Sequence, residues 1–411
     1  MKLIATSDWH VGNVFHGIDR SAEHRHFFHW LTETAVRTEA DALLVAGDVF
    51  DNSNPSAASQ ELYYGFLSDI TARCPQLQII ITAGNHDSAM RLEAPRSLLA
   101  RHHVEVRGAL HRHWTADDDG GQWTADVDDL LLTVSSRDGS QQAVVAAVPY
   151  LRSEVMVDGS YSAGVKALLE RLTDRARQRY PDMPLVMMTH MYATGAVVAD
   201  NGSERTVGGL EQVDMGDWTA HPDYLTSGHI HRRQHIFGAP WARYTGSALP
   251  MSFAECDYHH GADLLTIGTD RSVSVEFLEY TPTHRLLSLE PMELRPLLKT
   301  LRTTLPELEG DAPDDQSLYV ELSVVADMLR PEDRLKISET FEGRNALCLK
   351  VNQVLPDIDL TQQPAREQMA TIGDVINRPP IDSIEEAFRI RHRRDINDRQ
   401  RQLLEAIVRS V

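Results

Sequence analysis

The stretch Lys2-Leu-Ile-Ala-Thr-Ser-Asp-Trp-His10 passes from apolar, strand-type residues directly to a carboxylate and an imidazole. The pattern recurs along the chain, where further apolar runs end in Asp, Asn or His. Its members are Asp8-Trp-His10, Gly47-Asp48-Val-Phe-Asp51, Gly84-Asn85-His86-Asp87, His190 after Leu185-Val-Met-Met-Thr189, and Gly228-His229-Ile-His231. Carboxylate, carboxamide and imidazole groups at several strand ends are ligands that two neighbouring divalent cations can share. The ordered set therefore predicts a two-metal site suited to hydrolysing phosphate esters.

The apolar runs also predict the fold class, which is α/β (α+β). Helices are expected between the first strands, because Ser21 to Thr38 and then Leu62 to Ile70 carry apolar residues at helical spacing. The run 130–134 is typical of an antiparallel strand. We expect a two-sheet β-sandwich flanked by helices. Its strands are predicted at 2–6, 42–46, 78–82, 130–134, 143–148, 185–189, 263–267 and 273–278.

Composition changes after Thr281-Pro282, and this change predicts the division into domains. A phosphoesterase domain is expected at 1–282. Residues 283–358 are interpreted as a small α+β cap domain, with strands at 318–325 and 346–351 and a helix from Pro331 to Phe341. A polar, proline-bearing linker is expected at 359–380 and a helical hairpin at 381–411.

The C-terminal segment carries an apolar stripe with little of its own domain to pack against. Ser383-Ile-Glu-Glu386 has the capping-box pattern that opens a helix. Two interpretations remain open: the hairpin folds back on the core, or it docks on the helices of another protein. The stripe consists of Leu403, Leu404, Ile407, Val408 and Val411.

Composition places the chain among ordinary globular proteins. Its 411 residues exceed the size at which a single core usually divides, and 42% are apolar and 24% charged. We expect no membrane segment and no signal peptide, since apolar runs are short and Lys2 to Thr6 is strand-like. The widely spaced Cys74, Cys256 and Cys348 fit a reducing cytosol and predict a cytoplasmic location.

Charge argues against wrapping of DNA by this chain alone. Forty basic residues against 60 acidic ones give a formal net charge of −20, whereas non-specific DNA binding needs a basic surface. Bound divalent ions would offset part of the acidic charge, and a partner chain could supply the cationic surface. Nucleic acid as a substrate thus stays open.

Geometry predicts how the ligands reach the ions. Residues i and i+2 of a strand share a face, so Asp8 with His10 and His229 with His231 are expected to point the same way. Gly47 and Gly84 are expected at sharp turns that allow close approach to an ion. Asp48 is our choice for the bridging carboxylate, and the mixed ligands favour Mn²⁺, Fe²⁺ or Zn²⁺. Other histidines are interpreted as surface residues: His24, His26, His102, His103, His259 and His260.

The ordered set resembles the calcineurin-like metallophosphoesterases and, within them, the bacterial Mre-type nucleases of the SbcD family. The resemblance is carried by Thr6-Ser-Asp-Trp-His-Val-Gly12, Ala46-Gly-Asp-Val-Phe-Asp51, Ala83-Gly-Asn-His-Asp-Ser88, Ser227-Gly-His-Ile-His231, Tyr244-Thr-Gly-Ser-Ala-Leu-Pro250, Ser252-Phe-Ala-Glu255 and Ser383-Ile-Glu-Glu-Ala-Phe388. It implies that Asp8, His10, Asp48 and His231 hold one ion, and that Asp48, Asn85, His190 and His229 hold the other. His86 and Asp51 are then the implied catalytic residues, with His86 acting on the leaving oxygen and Asp51 as a support.

The resemblance also implies a biological setting. It implies an Mn²⁺-dependent DNA nuclease, with Mg²⁺ as the alternative ion, that acts as a double-strand exonuclease and a single-strand and hairpin endonuclease. The implied partner is an SbcC-like ATPase with a long coiled coil, on which the tail would dock. A homodimer within a heterotetramer would then serve DNA repair, recombination and replication.

Two other functions must be weighed. A phosphatase or another phosphodiesterase would use the same cage, but such phosphatases carry Arg after the second Asp and Glu after Gly-Asn-His. Here Asn52 follows Asp51 and Asp87 follows His86, which favours a diester. A silent scaffold would predict gaps in the ligand set, and the set has none. Arg232-Arg233, beside the last ligands, is either a DNA contact or a solvated pair.

Overall fold

The computed structural model describes residues 1–115, 122–152, 155–157, 159–198, 212–216, 218–310 and 316–356. The side chains of residues 112–115 and 122–125 are outside this description. The predicted linker at 359–380 and the predicted hairpin at 381–411 lie outside the described residues. Within the described residues, no helix is long and apolar enough to cross a membrane.

The strands and helices follow one another in the order that the apolar runs predict. The strands are β1 (Lys2–Thr6), β2 (Val14–Phe15), β3 (Ile18–Asp19), β4 (Ala42–Ala46), β5 (Gln78–Thr82), β6 (Val104–Arg107), β7 (Arg112–Thr115), β8 (Gln122–Ala125), β9 (Leu131–Ser135), β10 (Gln142–Ala147), β11 (Leu185–His190), β12 (Tyr224–Gly228), β13 (Gln234–His235), β14 (Ala242–Tyr244), β15 (His260–Ile267), β16 (Val273–Tyr280), β17 (Leu286–Ser288), β18 (Met292–Glu293), β19 (Leu318–Val325) and β20 (Ala346–Val354). The helices are α1 (Ser21–Thr38), α2 (Ala57–Arg73), α3 (Ala89–Glu93), α4 (Arg96–Leu99), α5 (Tyr161–Arg179), α6 (Leu294–Thr304) and α7 (Pro331–Phe341).

Two six-stranded sheets form the centre of the molecule. The first has the order β16-β15-β1-β4-β5-β6, with β1, β4, β5 and β6 parallel. The second has the order β13-β14-β12-β11-β10-β9, with β10, β11, β12 and β14 parallel. Strand β9 pairs antiparallel with β10, as predicted. The first sheet has antiparallel strands on one side only, β15 and β16, and ends in the parallel strand β6 on the other, whereas the second has an antiparallel strand at each edge.

Alternating side chains explain why the sheets stack. In β4, Ala42 and Leu44 enter the core between the sheets, whereas Leu43 and Val45 pack under α1 and α2. In the second sheet, Met188 enters the shared core, and outward-facing residues of its strands pack under α5. Both faces of these strands are therefore buried, which requires continuous apolar runs. The predicted two-sheet sandwich flanked by helices is confirmed.

A smaller sheet follows the sandwich. Strands β17 and β18 pair with one side of β19, and β20 pairs with the other, all of them parallel. Helices α6 and α7 contribute Leu297, Leu301 and Ile337 to a separate apolar core with β19. Met1–Leu355 forms one compact unit. The domain boundaries at 282 and 358 stay predictions.

Helices α5 and α6 go beyond the elements predicted from the sequence. In α5, Val165, Leu169 and Leu172 lie buried on one face, and the Ser160 side chain caps the helix by accepting from the backbone N–H of Ala163. The remaining predicted strands and helices occur within a few residues of the expected bounds.

We predict that the core between the sheets contributes much of the stability. Leu44→Ala should lower the free energy of unfolding by about 2–5 kcal/mol, because Leu44 is fully buried where the sheets meet. Leu335→Ala is the matched control, since Leu335 in α7 is 60% exposed and its loss should change stability by less than about 0.5 kcal/mol. Urea unfolding followed by tryptophan fluorescence measures both. Equal effects would contradict the assignment of this core.

Candidate metal centre

The five sequence blocks converge where the two sheets meet. Strands β1, β4 and β5 are parallel neighbours, so the residues after them lie at one edge of the first sheet. His190 ends β11 and pairs in register with Gly228, the last residue of β12. Backbone hydrogen bonds join the first two loops: Asp8 donates to the Gly47 carbonyl at 3.1 Å, and His10 to the Asp48 carbonyl at 3.0 Å.

The backbone of several predicted ligands is left-handed. The φ angles are +52° at Asp8, +48° at His10, +49° at Asp48 and +89° at His229. Side chains other than glycine avoid this region, and clustered exceptions are typical of functional sites. We expected Asp8 with His10, and His229 with His231, to point the same way because they lie in strands. That explanation is wrong. These residues lie beyond the ends of β1 and β12, and the loops bring them together.

The two glycines act in different ways. Gly47 has a φ of +83°, which confirms the expected turn before Asp48. Gly84 has no positive φ, so left-handed backbone is not the reason for a glycine there. A Cβ on Gly84 would instead lie 2.1 Å from Asp48 Oδ1, and the glycine allows close approach of two loops.

The first group of potential ligands contains Asp8, His10 and His231. One ligand atom from each residue lies within 4.8 Å of the others. His10 is 2% exposed, and neither of its ring nitrogens has a hydrogen-bond partner among the described residues. A buried imidazole without partners is costly unless something else satisfies it. This donor set fits a divalent cation of the Mn²⁺ or Zn²⁺ type.

The second group surrounds Asn85. Asn85 Oδ1 lies 3.0 Å from His190 Nε2 and 2.8 Å from His229 Nδ1. Asp48 Oδ2 lies 3.3 Å from His190 Nε2 and 3.8 Å from His10 Nε2. Asp48 therefore lies between the two groups, as expected of a carboxylate shared by two ions.

The electrostatics of the centre favour positive charge beside Asp48. Burial raises the pKa of the Asp48 carboxyl, but His190 outweighs burial and leaves the pKa well below its usual range. Burial lowers the pKa of His190, yet Asp48 overrides this and raises it to about 9. Burial and then His190 lower the pKa of His229 to about 3. A cation held by His190 would take the place of this proton, since a ligating imidazole must be neutral.

His86 and Asp51 lie at the mouth of this centre. The backbone N–H of His86 donates to Asp48 Oδ1 at 2.9 Å, and His86 Nδ1 donates to the Asp51 carbonyl at 2.8 Å. The His86 ring lies 4.8 Å from the His10 ring. The Asp51 carboxylate lies 3.5 Å from His10 Nδ1 and accepts from the Asn13 amide at 3.0 Å. Both residues line the cleft that also exposes Asn85, His229 and His231.

Two buried carboxylates near the ligands were missed by sequence reasoning. The first, Asp87, accepts three backbone hydrogen bonds: from Gly84 at 2.8 Å, from Phe50 at 2.9 Å and from Val49 at 3.1 Å. It therefore joins the loops after β4 and β5. Burial and the nearby Asp48 raise the pKa of Asp87 to about 6. Its place in the Gly-Asn-His-Asp block was the available signal.

The second missed carboxylate is Glu255, which lies in a 3₁₀ turn at Phe253–Glu255. Glu255 is 1% exposed, and its Oε1 lies 3.1 Å from His231 Nδ1. Burial raises the pKa of Glu255, but His231 outweighs it and leaves the pKa below its usual value. The stretch Ser252-Phe-Ala-Glu255, which carries part of the family resemblance, was the available signal.

Several histidines were assigned to the surface, and two of these assignments are wrong. His24 is 1% exposed and hydrogen-bonds to the carbonyls of Trp9 and Arg20, and His260 is 4% exposed and contacts Ser247. Both rings are buried because neighbouring backbone carbonyls satisfy their polar atoms. The other four are exposed as expected, namely His26, His102, His103 and His259.

Arg232 and Arg233 differ in their surroundings. Arg233 donates to the buried Asp263 at 2.7 Å and lies over the Phe277 ring, so it stabilises the sheet edge. Arg232 lies over the Tyr258 ring. Arg233 is thus neither a solvated residue nor a free DNA contact.

Comparison with known proteins agrees with this centre. The family model described as calcineurin-like phosphoesterase matches residues 1–233, more than half of the chain. The chain therefore belongs to the calcineurin-like phosphoesterases, a class whose members bind divalent metal ions. Within this class it falls in the SbcD family, as its similarity to curated relatives shows.

The relatives are similar over most of their length. The chain is 34% identical over 346 residues to the SbcD chain of the SbcCD nuclease from Rhodobacter capsulatus, covering 80% of this chain and 81% of that one. Identity to the SbcD chain of Escherichia coli strain K12 is 28% over 358 residues, covering 84% and 82%. For the SbcD chain of Bacillus subtilis strain 168 it is 27% over 348 residues, covering 84% of each chain.

We predict that the close approach at Gly84 is necessary for metal binding. In Gly84→Ala the added methyl group should push the Asp48 and Asn85 loops apart, lower stability by about 1–3 kcal/mol and reduce bound Mn²⁺. Gly65→Ala in α2 is the control, since a Cβ there meets nothing within 4 Å. Dialysis followed by elemental analysis gives the Mn²⁺ content. A full complement of Mn²⁺ in Gly84→Ala would refute this.

Proposed function

We propose that this chain is the nuclease component of a DNA-processing complex and hydrolyses phosphodiester bonds with two divalent ions. Mn²⁺ is the proposed metal, because the ligands mix nitrogen and oxygen donors, and Mg²⁺ is the alternative. The observation that carries the proposal is the buried imidazole of His10, which has no hydrogen-bond partner among the described residues and lies 3.8 Å from the Asp48 carboxylate. The names of the SbcD relatives support nuclease activity.

We assign the ligands by position. Asp8, His10, Asp48 and His231 would hold one ion, and Asp48, Asn85, His190 and His229 the other. When bound, the ions polarise the phosphodiester and make an activated water available at neutral pH. The chain itself holds one of these ligands in place: Asp8 is fully buried, and its carboxylate accepts from Ser7 Oγ at 2.5 Å and from the backbone of His229 at 2.9 Å.

His86 is proposed to act on the leaving oxygen. Its Nδ1 is engaged by the Asp51 carbonyl, so Nε2 is the ring atom left to face a substrate in the cleft. From there it would stabilise or protonate the leaving oxygen as the bond breaks. The Asp51 side chain supports the site through His10, from which it lies 3.5 Å away, and we propose no direct contact with substrate for it.

The substrate is proposed to be DNA, as duplex ends and as single-stranded or hairpin sites. Asn52 and Asp87 stand where phosphatases of this fold carry Arg and Glu. Position 52 therefore has no positively charged side chain to compensate the second negative charge of a phosphate monoester. The net charge of −20 implies that other chains provide much of the DNA contact. This points to a partner with a cationic surface.

We propose an SbcC-like ATPase with a coiled coil as that partner, in a heterotetramer with two copies of this chain. The segment 381–411 would dock on the coiled coil through its apolar stripe, and the module around β19 would act as a cap beside the DNA. The cysteines at 74, 256 and 348 are free, which supports a cytoplasmic location.

His86→Asn tests the catalytic proposal. The variant should keep both Mn²⁺ ions, because His86 is not a ligand, while cleavage falls about 10²–10⁴-fold. The assay uses labelled duplex and hairpin DNA with Mn²⁺ or Mg²⁺, alongside an aryl phosphodiester and an aryl phosphomonoester. His102→Asn, at an exposed histidine, is the control. Empty metal sites in His86→Asn would overturn the proposed role of His86 in catalysis. Wild-type activity confined to the phosphomonoester would overturn the proposal that the chain is a nuclease.

Removal of the tail tests the partnership. A chain ending at residue 380 should fail to co-purify with the coiled-coil ATPase, because the proposed docking helices are gone, yet it should keep wild-type thermal stability and Mn²⁺ content. Co-expression followed by affinity purification measures the complex. A complex that survives the truncation would contradict docking through 381–411.

A further inference from the structure

Glu255 is a buried carboxylate that lies directly behind the imidazole of the proposed ligand His231. Its Oε1 lies 3.1 Å from His231 Nδ1 and 3.4 Å from Ser252 Oγ. Its Oε2 accepts the backbone N–H of Met251 at 2.8 Å. With 1% of its surface exposed, the carboxylate has exchanged water for these partners.

The segment around Glu255 is held in place independently of any ligand. The neighbouring Phe253 packs with Phe15 and Tyr319 in an apolar cluster between the sandwich and the small sheet. The carbonyl of Pro250 accepts from the buried Arg20 guanidinium. The position of the carboxylate is therefore set by the fold rather than by His231.

We propose that Glu255 is a positioning residue for His231. By accepting the Nδ1 proton it would fix the tautomer in which Nε2 carries the lone pair, and would aim that atom at the ion shared with Asp8 and His10. A carboxylate behind an imidazole also makes the ring a stronger ligand. The inference deepens the proposed function, because it rests on the two-ion site.

The other histidines of the site differ in what lies behind the ring. His190 Nδ1 donates to the Ala46 carbonyl at 2.9 Å, so the backbone fixes that ring. His10 has no hydrogen-bond partner among the described residues, and Asp51 lies 3.5 Å away. The Nδ1 atom of His231, by contrast, lies within hydrogen-bond distance of a carboxylate side chain. Substitution of Glu255 can therefore test whether that carboxylate orients the His231 ring.

Glu255→Gln removes this function with little change in shape. An amide has one acceptor oxygen, whereas the carboxylate now accepts from both His231 and Met251. If the amide oxygen keeps the Met251 N–H, the NH₂ group faces His231 Nδ1 and favours the tautomer protonated at Nε2. That tautomer cannot donate a lone pair to the ion from Nε2.

The test is a calorimetric Mn²⁺ titration of the full chain without DNA. We expect wild type to bind two ions, and Glu255→Gln to lose about 10–100-fold in affinity for one of them while the other is unchanged. Glu279→Gln is the matched control, because Glu279 pairs with the exposed His259 at 2.7 Å, and it should bind like wild type. If Glu255→Gln binds both ions with the affinities of the wild type, the proposal is overturned.

Nitrogen-15 NMR of labelled histidine provides a second test that needs no folded Glu255 variant. In the wild-type chain without metal, the His231 resonances, assigned with His231→Gln, should show protonation at Nδ1. Protonation at Nε2 would overturn the positioning role. The proposed function fails separately, if wild type binds fewer than two ions or binds two ions without cleaving DNA.

Discussion

The structure depends on a carboxylate that is buried where two sheets meet. Asp48 is 2% exposed, and it lies between His10 and His190. An ionised group in such a place is expensive unless positive charge compensates it. Without a bound cation, His190 supplies that charge as a proton, and this explains the raised pKa of its ring. In the proposed two-ion site Asp48 would be the shared ligand, and the cations would supply the compensating charge in place of that proton.

Much of this arrangement could be predicted from the sequence, for physical reasons. Strands buried on both faces must be apolar throughout, so β1, β4, β5 and β11 were recognisable as continuous runs. Parallel neighbours end at the same sheet edge, and the polar residues that follow them therefore meet. The small sheet was predicted from the runs in β19 and β20. Helix α5 was not predicted, although Val165, Leu169 and Leu172 recur at helical spacing on its buried face.

The remaining features depend on tertiary structure. The backbone at Asp8 and His10 is left-handed, and this conformation directs both residues into the site. The sequence indicates such a conformation only where the residue is glycine. Glu255 reaches His231 only after the chain has passed through β14, and Asp87 serves backbone groups on a different loop. His24 and His260 are buried because neighbouring carbonyls satisfy them, and such local pairing leaves no pattern in the sequence. The sequence therefore revealed the residues that converge at the centre better than the buried groups that hold them.

Seven side chains are proposed to hold two neighbouring cations, with Asp48 as the ligand common to both. The most direct measurement is anomalous diffraction from crystals of the chain grown with Mn²⁺. We expect two peaks about 3.5–4 Å apart, with Asp48 between them. One group should be Asp8, His10 and His231, and the other Asn85, His190 and His229. A single peak, or two peaks that share no ligand, would contradict this proposal.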